Sequence, residues 1–277
     1  MKLNYHKQYY PSHDVVFSVM FGTRVLFCKL VEAVTGDKID LEGDPHTQAT
    51  LHEDDVLLNT IRFDTFALTL NQRFYSADIQ RKYKMAREER RTVYYACRAV
   101  STQDVDKMAY EELKPVHISF ILTSHKDDRA IRHIKLCDTK THEIFDDLIE
   151  LTLVYVPSVL KTYDKKSDLY IFAKFFKITS QKKADLFVKQ FGTHELGKEL
   201  IMEYNNAVAN AQNLQQIETR PYFLGRLTEA QLEEERKKAE KKVLIKTARK
   251  MLSDGMAPEL IIKYIDLDIE TILTLKP

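Results

Sequence analysis

Ile61-Arg62-Phe63-Asp64-Thr65-Phe66-Ala67-Leu68 and Phe74-Tyr75-Ser76-Ala77-Asp78-Ile79-Gln80 decide the reading of this chain. Both runs are rich in β-branched and aromatic residues, and Asn71-Gln72-Arg73 supplies a polar break between them. That pattern predicts a β-hairpin. With the turn centred near Asn71, Asp64 faces Asp78 and Arg62 faces Gln80. Directly opposed residues have Cβ atoms about 4.5–5.5 Å apart, where like charges destabilise. Side chains alternate along a strand, so Ile61, Phe63, Ala77 and Ile79 point the other way, toward a core. Two carboxylates so placed call for a cation, and hard oxygen donors suit Mg²⁺. A solvated hairpin face neutralised by Arg62 and Arg81 is the competing reading.

The neighbourhood of the hairpin adds a family resemblance. Asp64, a gap, then Asp78, one apolar residue and Gln80 resembles the metal-binding signature of the PD-(D/E)XK nuclease superfamily. It is most similar to the recombination-promoting nuclease and transposase branch, which commonly has Gln where other branches have Lys. Upstream, Ser12-His13-Asp14-Val15-Val16-Phe17-Ser18-Val19-Met20-Phe21-Gly22 resembles that family's opening D-x-x-F-K-x-x-F-G segment. Downstream, Arg87 to Arg98 with Tyr94-Tyr95 resembles its R…YY…R helix, and Lys114-Pro115-Val116 precedes a strand. Lys242 to Leu275 resembles the short helical segment that ends many members. The chain departs in two places: the second acid is Asp78 rather than Glu, one methylene shorter, and Ser18 stands where Lys is frequent.

The resemblance implies an α/β (α+β) domain with a PD-(D/E)XK-like restriction-endonuclease core, a mixed central sheet flanked by helices. It implies a metal-dependent DNA endonuclease, linked to recombination or transposition, using Mg²⁺ or Mn²⁺. In such a site Asp64 and Asp78 hold the metal, the Ile79 carbonyl completes the protein ligands, and Asp14 is an outer ligand through water. Asp14 as an N-cap of the helix opening at Val15 is the alternative. Gln80 shares the face of Asp78 and can orient water or a phosphate oxygen, but its amide cannot act as a base.

From Arg81 to Arg98 seven Lys or Arg residues stand against Glu88 and Glu89, an excess of five positive charges. Helical spacing puts Arg87, Arg91, Tyr94 (or Tyr95) and Arg98 on one stripe, and Val93, Ala96, Cys97 and Val100 on the opposite, core-facing one. With Arg62, the first stripe is the candidate DNA surface. An exposed basic helix with core tyrosines is the competing reading.

Length and composition bound the rest. The 277 residues are 44% hydrophobic with a net charge of +1, enough for a core and uninformative about partners by itself. Gly is scarce and no G-x-x-x-x-G-K run occurs, which excludes a P-loop. Cys28, Cys97 and Cys137 are few and widely spaced, so they read as small buried hydrophobes rather than disulfides or zinc ligands. His117, His125, His133 and His142 follow no hydrolase or zincin pattern. The first residues lack an apolar signal region, and the apolar stretch near Leu148 to Leu160 is interrupted by Glu150 and Pro157, so a cytoplasmic protein without a membrane segment is expected.

Along the chain, an amphipathic helix is expected over Val15 to Val34, broken near Gly22 and stopped at Gly36. Strands are expected at Gln48–Glu53, Val116–Thr123, Arg132–Asp138 and Leu151–Val156, and a helix over about Lys84 to Thr102. A nuclease-like domain at 1–160 and a helical C-terminal region at 161–277 follow. In the latter, Glu233-Glu234-Glu235 and Arg236-Lys237-Lys238 open a long charged helix, Gly255 ends it, Pro258 starts the next and Asp268 caps a last one. Leu260, Ile261, Tyr264, Ile265, Ile269, Ile272 and Leu273 must bury against the long helix or a second copy, so a homodimer through these helices is a candidate. The rival functions are a degenerate nucleic-acid-binding or assembly protein on the same fold, and a structural partner with no nucleic-acid role.

Overall fold

The computed structural model describes residues 2–47, 50–51, 61–81, 85–101, 103, 109–209, 214–215, 244–245, 247–253, 256, 258–262, 264–265 and 271–272. Two helices come first, α1 (Asp14–Phe21) and α2 (Arg24–Thr35). Gly22 and Thr23 separate them, and Gly36 closes α2 in the left-handed conformation, φ 82°, which glycine adopts without strain. Short strands β1 (His46–Thr47), β2 (Thr50–Leu51) and β3 (Ile61–Arg62) lead to β4 (Thr65–Leu68) and β5 (Phe74–Gln80). Helix α3 (Met85–Ser101) connects β5 to β6 (Val116–Leu122), and β7 (Ile131–Cys137) and β8 (Ile144–Tyr155) complete the strands.

Six strands form one mixed sheet in the order β1-β4-β5-β6-β8-β7. The three central strands β5, β6 and β8 run parallel, and β1, β4 and β7 are antiparallel to their neighbours. Parallel strands are buried on both faces and need helical crossovers, and β5 is accordingly buried over its first six residues. One face packs on α3: Phe74, Val116, Ile118, Phe120, Leu122, Leu151, Leu153 and Tyr155 meet Tyr95, Ala96 and Ala99. Helices α1, α2 and α4 (Val156–Thr162) touch the strands as well.

The hairpin has the expected register, Thr65 with Ala77 through Leu68 with Phe74. Its first strand does not run through, however. The chain bends at Asp64, and β3 leaves to pair with β2, setting Arg62 against Thr50 rather than Gln80. The bend also puts Phe63 into the α3-side cluster instead of the opposite face, while Ala77 and Ile79 are buried as expected. Of the strand expected at Gln48–Glu53 the described residues are Thr50 and Leu51, which form β2, and β8 begins seven residues before the expected Leu151.

After β8 the chain is helical: α4, α5 (Asp168–Phe176), α6 (Gln181–Phe191) and α7 (Glu195–Ala209). Ser167 and Ser180 cap α5 and α6, accepting from Tyr170 and Lys183 N–H. These helices do not form a separate region starting at 161. They share one compact unit, residues 1–51 and 61–220, with the sheet. The reason is an aromatic core that joins them to α1: Phe17 and Phe21 pack on Phe172 and Phe176, and Phe175 meets Tyr204. The N-terminal segment is strapped onto α7. Asn4 N–H donates to Asn205 Oδ1 (2.8 Å), His6 N–H donates to Tyr204 OH (2.9 Å), and Tyr204 OH donates to the Tyr9 carbonyl (2.8 Å).

The second unit comprises residues 52–60 and 221–277. A short helix, Pro258–Ile261, starts at Pro258 as expected. Ile261, Ile265 and Ile272 bury with Ala248, flanked by Leu244, Met251, Leu252 and Met256. Leu260 and Tyr264, expected to be buried, are exposed. Gly255, Asp268, Ile269, Leu273 and the charged run from Glu233 to Lys238 lie outside the described residues. Among the described residues no helix is long and apolar enough to cross a membrane. None of the cysteines fits the buried-hydrophobe expectation: Cys97 and Cys137 are exposed and Cys28 is half-buried.

Candidate functional site

Asp78 sits in the middle of the sheet with no exposed surface, and Asp64 is 8% exposed. The bend that ends β4 brings them together through reciprocal hydrogen bonds. Asp64 N–H donates to Asp78 Oδ1 (3.0 Å), and Ile79 N–H donates to Asp64 Oδ2 (2.9 Å). A side-chain carboxylate thus takes a rung of the ladder that a backbone carbonyl would otherwise fill, and the buried N–H stays paired. Ser76 Oγ donates to Asp78 Oδ2 (3.3 Å) from the same strand face.

The charge is concentrated. The Asp64 carboxyl is held well above the usual carboxylate range, first by burial, then by Asp78 and by Asp14. Ile79 N–H and the Arg91 guanidinium act in the opposite direction. Asp14 is the first residue of α1, not its cap; His13 occupies the cap position. Its carboxylate pairs with Arg81 Nε (3.4 Å), and Arg81 also reaches Tyr10 OH and lies over the Tyr10 ring. Arg81 therefore serves Asp14 rather than the buried pair.

Helix α3 is turned about 100°, one residue, from the orientation that hydrophobic spacing suggests. Thr92, Tyr95, Ala96 and Ala99 face the sheet, whereas Val93 and Cys97 are exposed. Burying a tyrosine ring removes more surface from water than a valine does, and Tyr95 packs edge-on against Phe63 (5.1 Å) and Phe120 (5.7 Å). Burial pushes the Tyr95 hydroxyl up to about 12. The turn also carries Arg91 inward. Its Nη1 donates to Gln80 Oε1 (3.2 Å), its Nη2 donates to Tyr95 OH (2.7 Å), and the guanidinium lies over Tyr95 (4.9 Å) and Phe120 (5.6 Å).

Of the residues singled out in the sequence, Asp64, Asp78, Ile79, Gln80, Arg91 and Tyr95 thus meet on one patch, with Asp14 close enough to act on Asp64. Tyr94 is exposed on α3, whereas Arg98 is half-buried with its Nε enclosed. The side chains of Arg62 and Arg87 lie outside the described residues. Sequence reasoning missed the Arg91–Gln80 contact; the Arg91/Tyr95 spacing of four was its one available signal.

Among the described residues no cluster of three or more His, Cys, Asp or Glu side chains is arranged to hold a metal. Mg²⁺ is usually held by one or two carboxylates, with waters and substrate phosphates filling the other positions. A buried pair of oxygen-donor acids, with Asp78 raising Asp64, fits that donor set.

A mixed sheet with parallel central strands, helices on its faces and acids at a broken hairpin defines a nuclease-type α/β protein. The family comparison makes this specific. Residues 11–190 match the model of the PD-(D/E)XK nuclease family transposases, and the chain belongs to that family. No curated protein and no solved structure matches it.

Proposed function

We propose that the protein is a metal-dependent DNA endonuclease whose cleavage serves recombination or transposition. The observation that supports this most is the buried Asp64–Asp78 pair, crossed by two hydrogen bonds at a strand break. Nothing in ordinary packing favours two adjacent buried acids, because like charges taken out of water repel and lose solvation. In the proposed site Asp64 and Asp78 hold Mg²⁺ or Mn²⁺, with the Ile79 carbonyl and, through water, Asp14. A divalent ion bound there supplies Lewis acidity and a lowered pKa for water. The chain's own part is to fix the acids by backbone hydrogen bonds, and to present DNA with cations from α3. Neither Gln80 nor Arg91 titrates near neutrality, so no side chain of this patch other than the acids exchanges a proton.

The test is nicking of supercoiled plasmid by the full chain, with Mg²⁺ and with EDTA. Nicking that requires the metal supports the proposal, and DNA binding without cleavage under either condition overturns it. The latter result would point to the second reading, a DNA-binding protein with a silent site, which the shorter Asp78 in place of Glu favours. The exposed Leu260, Ile262 and Tyr264 support pairing of two copies through the C-terminal region.

A further inference from the structure

Position 80 faces a constraint that a lysine cannot meet. Arg91 Nη1 donates to Gln80 Oε1 at 3.2 Å. A lysine ammonium has three donors and no acceptor, and in that place it would set one cation against another. The same guanidinium is fastened on its other side by Tyr95 OH at 2.7 Å and by stacking over the Tyr95 and Phe120 rings. Its charge acts on Asp64 across the patch.

Resting on the endonuclease reading, we propose that Arg91 is the cation of the reaction centre, meeting the charge that develops on the scissile phosphate in the transition state, and that Gln80 and Tyr95 are positioning residues that hold it for that step. Negative charge develops on the phosphate oxygens as the new bond to phosphorus forms. A preorganised donor aimed at that charge contributes more than one that must be gathered from solvent. The planar guanidinium matches phosphate in a bidentate fork, and it stays protonated at every working pH. Arg91 accordingly supplies charge and orientation and transfers no proton. Its role differs from that of the other α3 cations: they grip DNA in the ground state, whereas Arg91 acts as the bond breaks.

The experiment compares cleavage rate under single turnover with DNA affinity for the wild type, R91Q, R91K, Y95F and the exchange Q80K/R91Q, all as full chains whose folding is checked by circular dichroism. R91Q should cleave about 100-fold slower, with affinity within about threefold and an unchanged salt slope, because no ground-state phosphate contact is lost. Y95F should slow cleavage about threefold to tenfold at unaltered affinity, the size of one hydrogen bond. Q80K/R91Q restores a cation facing an acceptor and should cleave at least about tenfold faster than R91Q. If R91Q does not fold, R91K decides: slower cleavage at wild-type affinity supports the assignment, and the wild-type rate overturns it. Parallel losses of rate and affinity in R91Q, or an exchange variant no faster than R91Q, overturn it too. Metal-dependent cleavage by the wild type with equal cleavage by R91Q removes this assignment alone. A wild type that never cleaves removes the endonuclease reading and Arg91's role with it.

Discussion

Asp78 holds its place by accepting from Asp64 N–H and from Ser76, so its shape and its charge can be separated. Asp78→Asn keeps an acceptor of the same size and removes the negative charge. We expect it to fold and to lose cleavage by about 1,000-fold or more, given several kcal/mol of charge stabilisation and tenfold per 1.36 kcal/mol. Metal-dependent nicking of plasmid at the wild-type rate would move the activity elsewhere. Asp78→Ala would in addition leave a buried N–H unpaired, costing about 1–3 kcal/mol of stability, which denaturant melts would read. A second residue carries a pH dependence. His117 is buried on the opposite sheet face, Nε2 against Thr152 Oγ1 (2.8 Å), and burial lowers it from the usual 6.5 to about 4. The unfolded chain takes up this proton first, so the contribution of His117 is present above pH 6.5 and is lost as pH falls toward 4. The loss is on the order of 3 kcal/mol at most. Urea melts between pH 7 and 4 should show it, and His117→Gln should flatten the profile.

At the scale of elements, α3 does two things at once. Its inward face anchors on Tyr95, its outward face carries Arg90 and Tyr94, and Arg98 lies half-buried between the two. Replacing Arg90 and Arg98 with Ala should weaken DNA binding about equally for all sequences. It should also reduce the slope of log K against log salt by roughly 1.8, about 0.9 per phosphate contact. Binding titrations at several salt concentrations would check this, and an unchanged slope would take the DNA path off this helix. Much of the architecture was legible in the sequence. Period-two alternation gave the hairpin and its register, and helical spacing with Gly36 gave α2 and its end. The rotation of α3 was not legible, because Val93 and Cys97 satisfy the same apolar period as Tyr95 and Ala99 and only the packed sheet chooses between them. Nor was the bend at Asp64, since a carboxylate replacing a backbone acceptor leaves no trace in hydrophobic periodicity. The acid pair could be read from spacing; the contact of Arg91 with Gln80, eleven residues apart, could not.

At the scale of the molecule, the helices after β8 complete the nuclease unit rather than follow it. A chain ending at residue 160 should therefore fail to fold, losing the partners of Phe17 and Phe21, whereas one ending at residue 220 should melt cooperatively. Circular dichroism of the two truncations would check this, and a cooperative melt of the shorter one would restore the boundary at 160. The strap from the N-terminus to α7 has a consequence for the order of events during synthesis. Tyr9 and Tyr204 are separated by 195 residues, yet one hydroxyl joins them. At about 5–20 residues per second, a ribosome needs roughly 10–40 s to make the second after the first. Once Gln80 has been added, the hairpin that carries Asp64 and Asp78 is made, while α1, with Asp14, still has no α7 to lie against. The nascent chain thus passes through a stage with its acid pair translated and the frame around it unfinished, a built-in delay before the complete site exists.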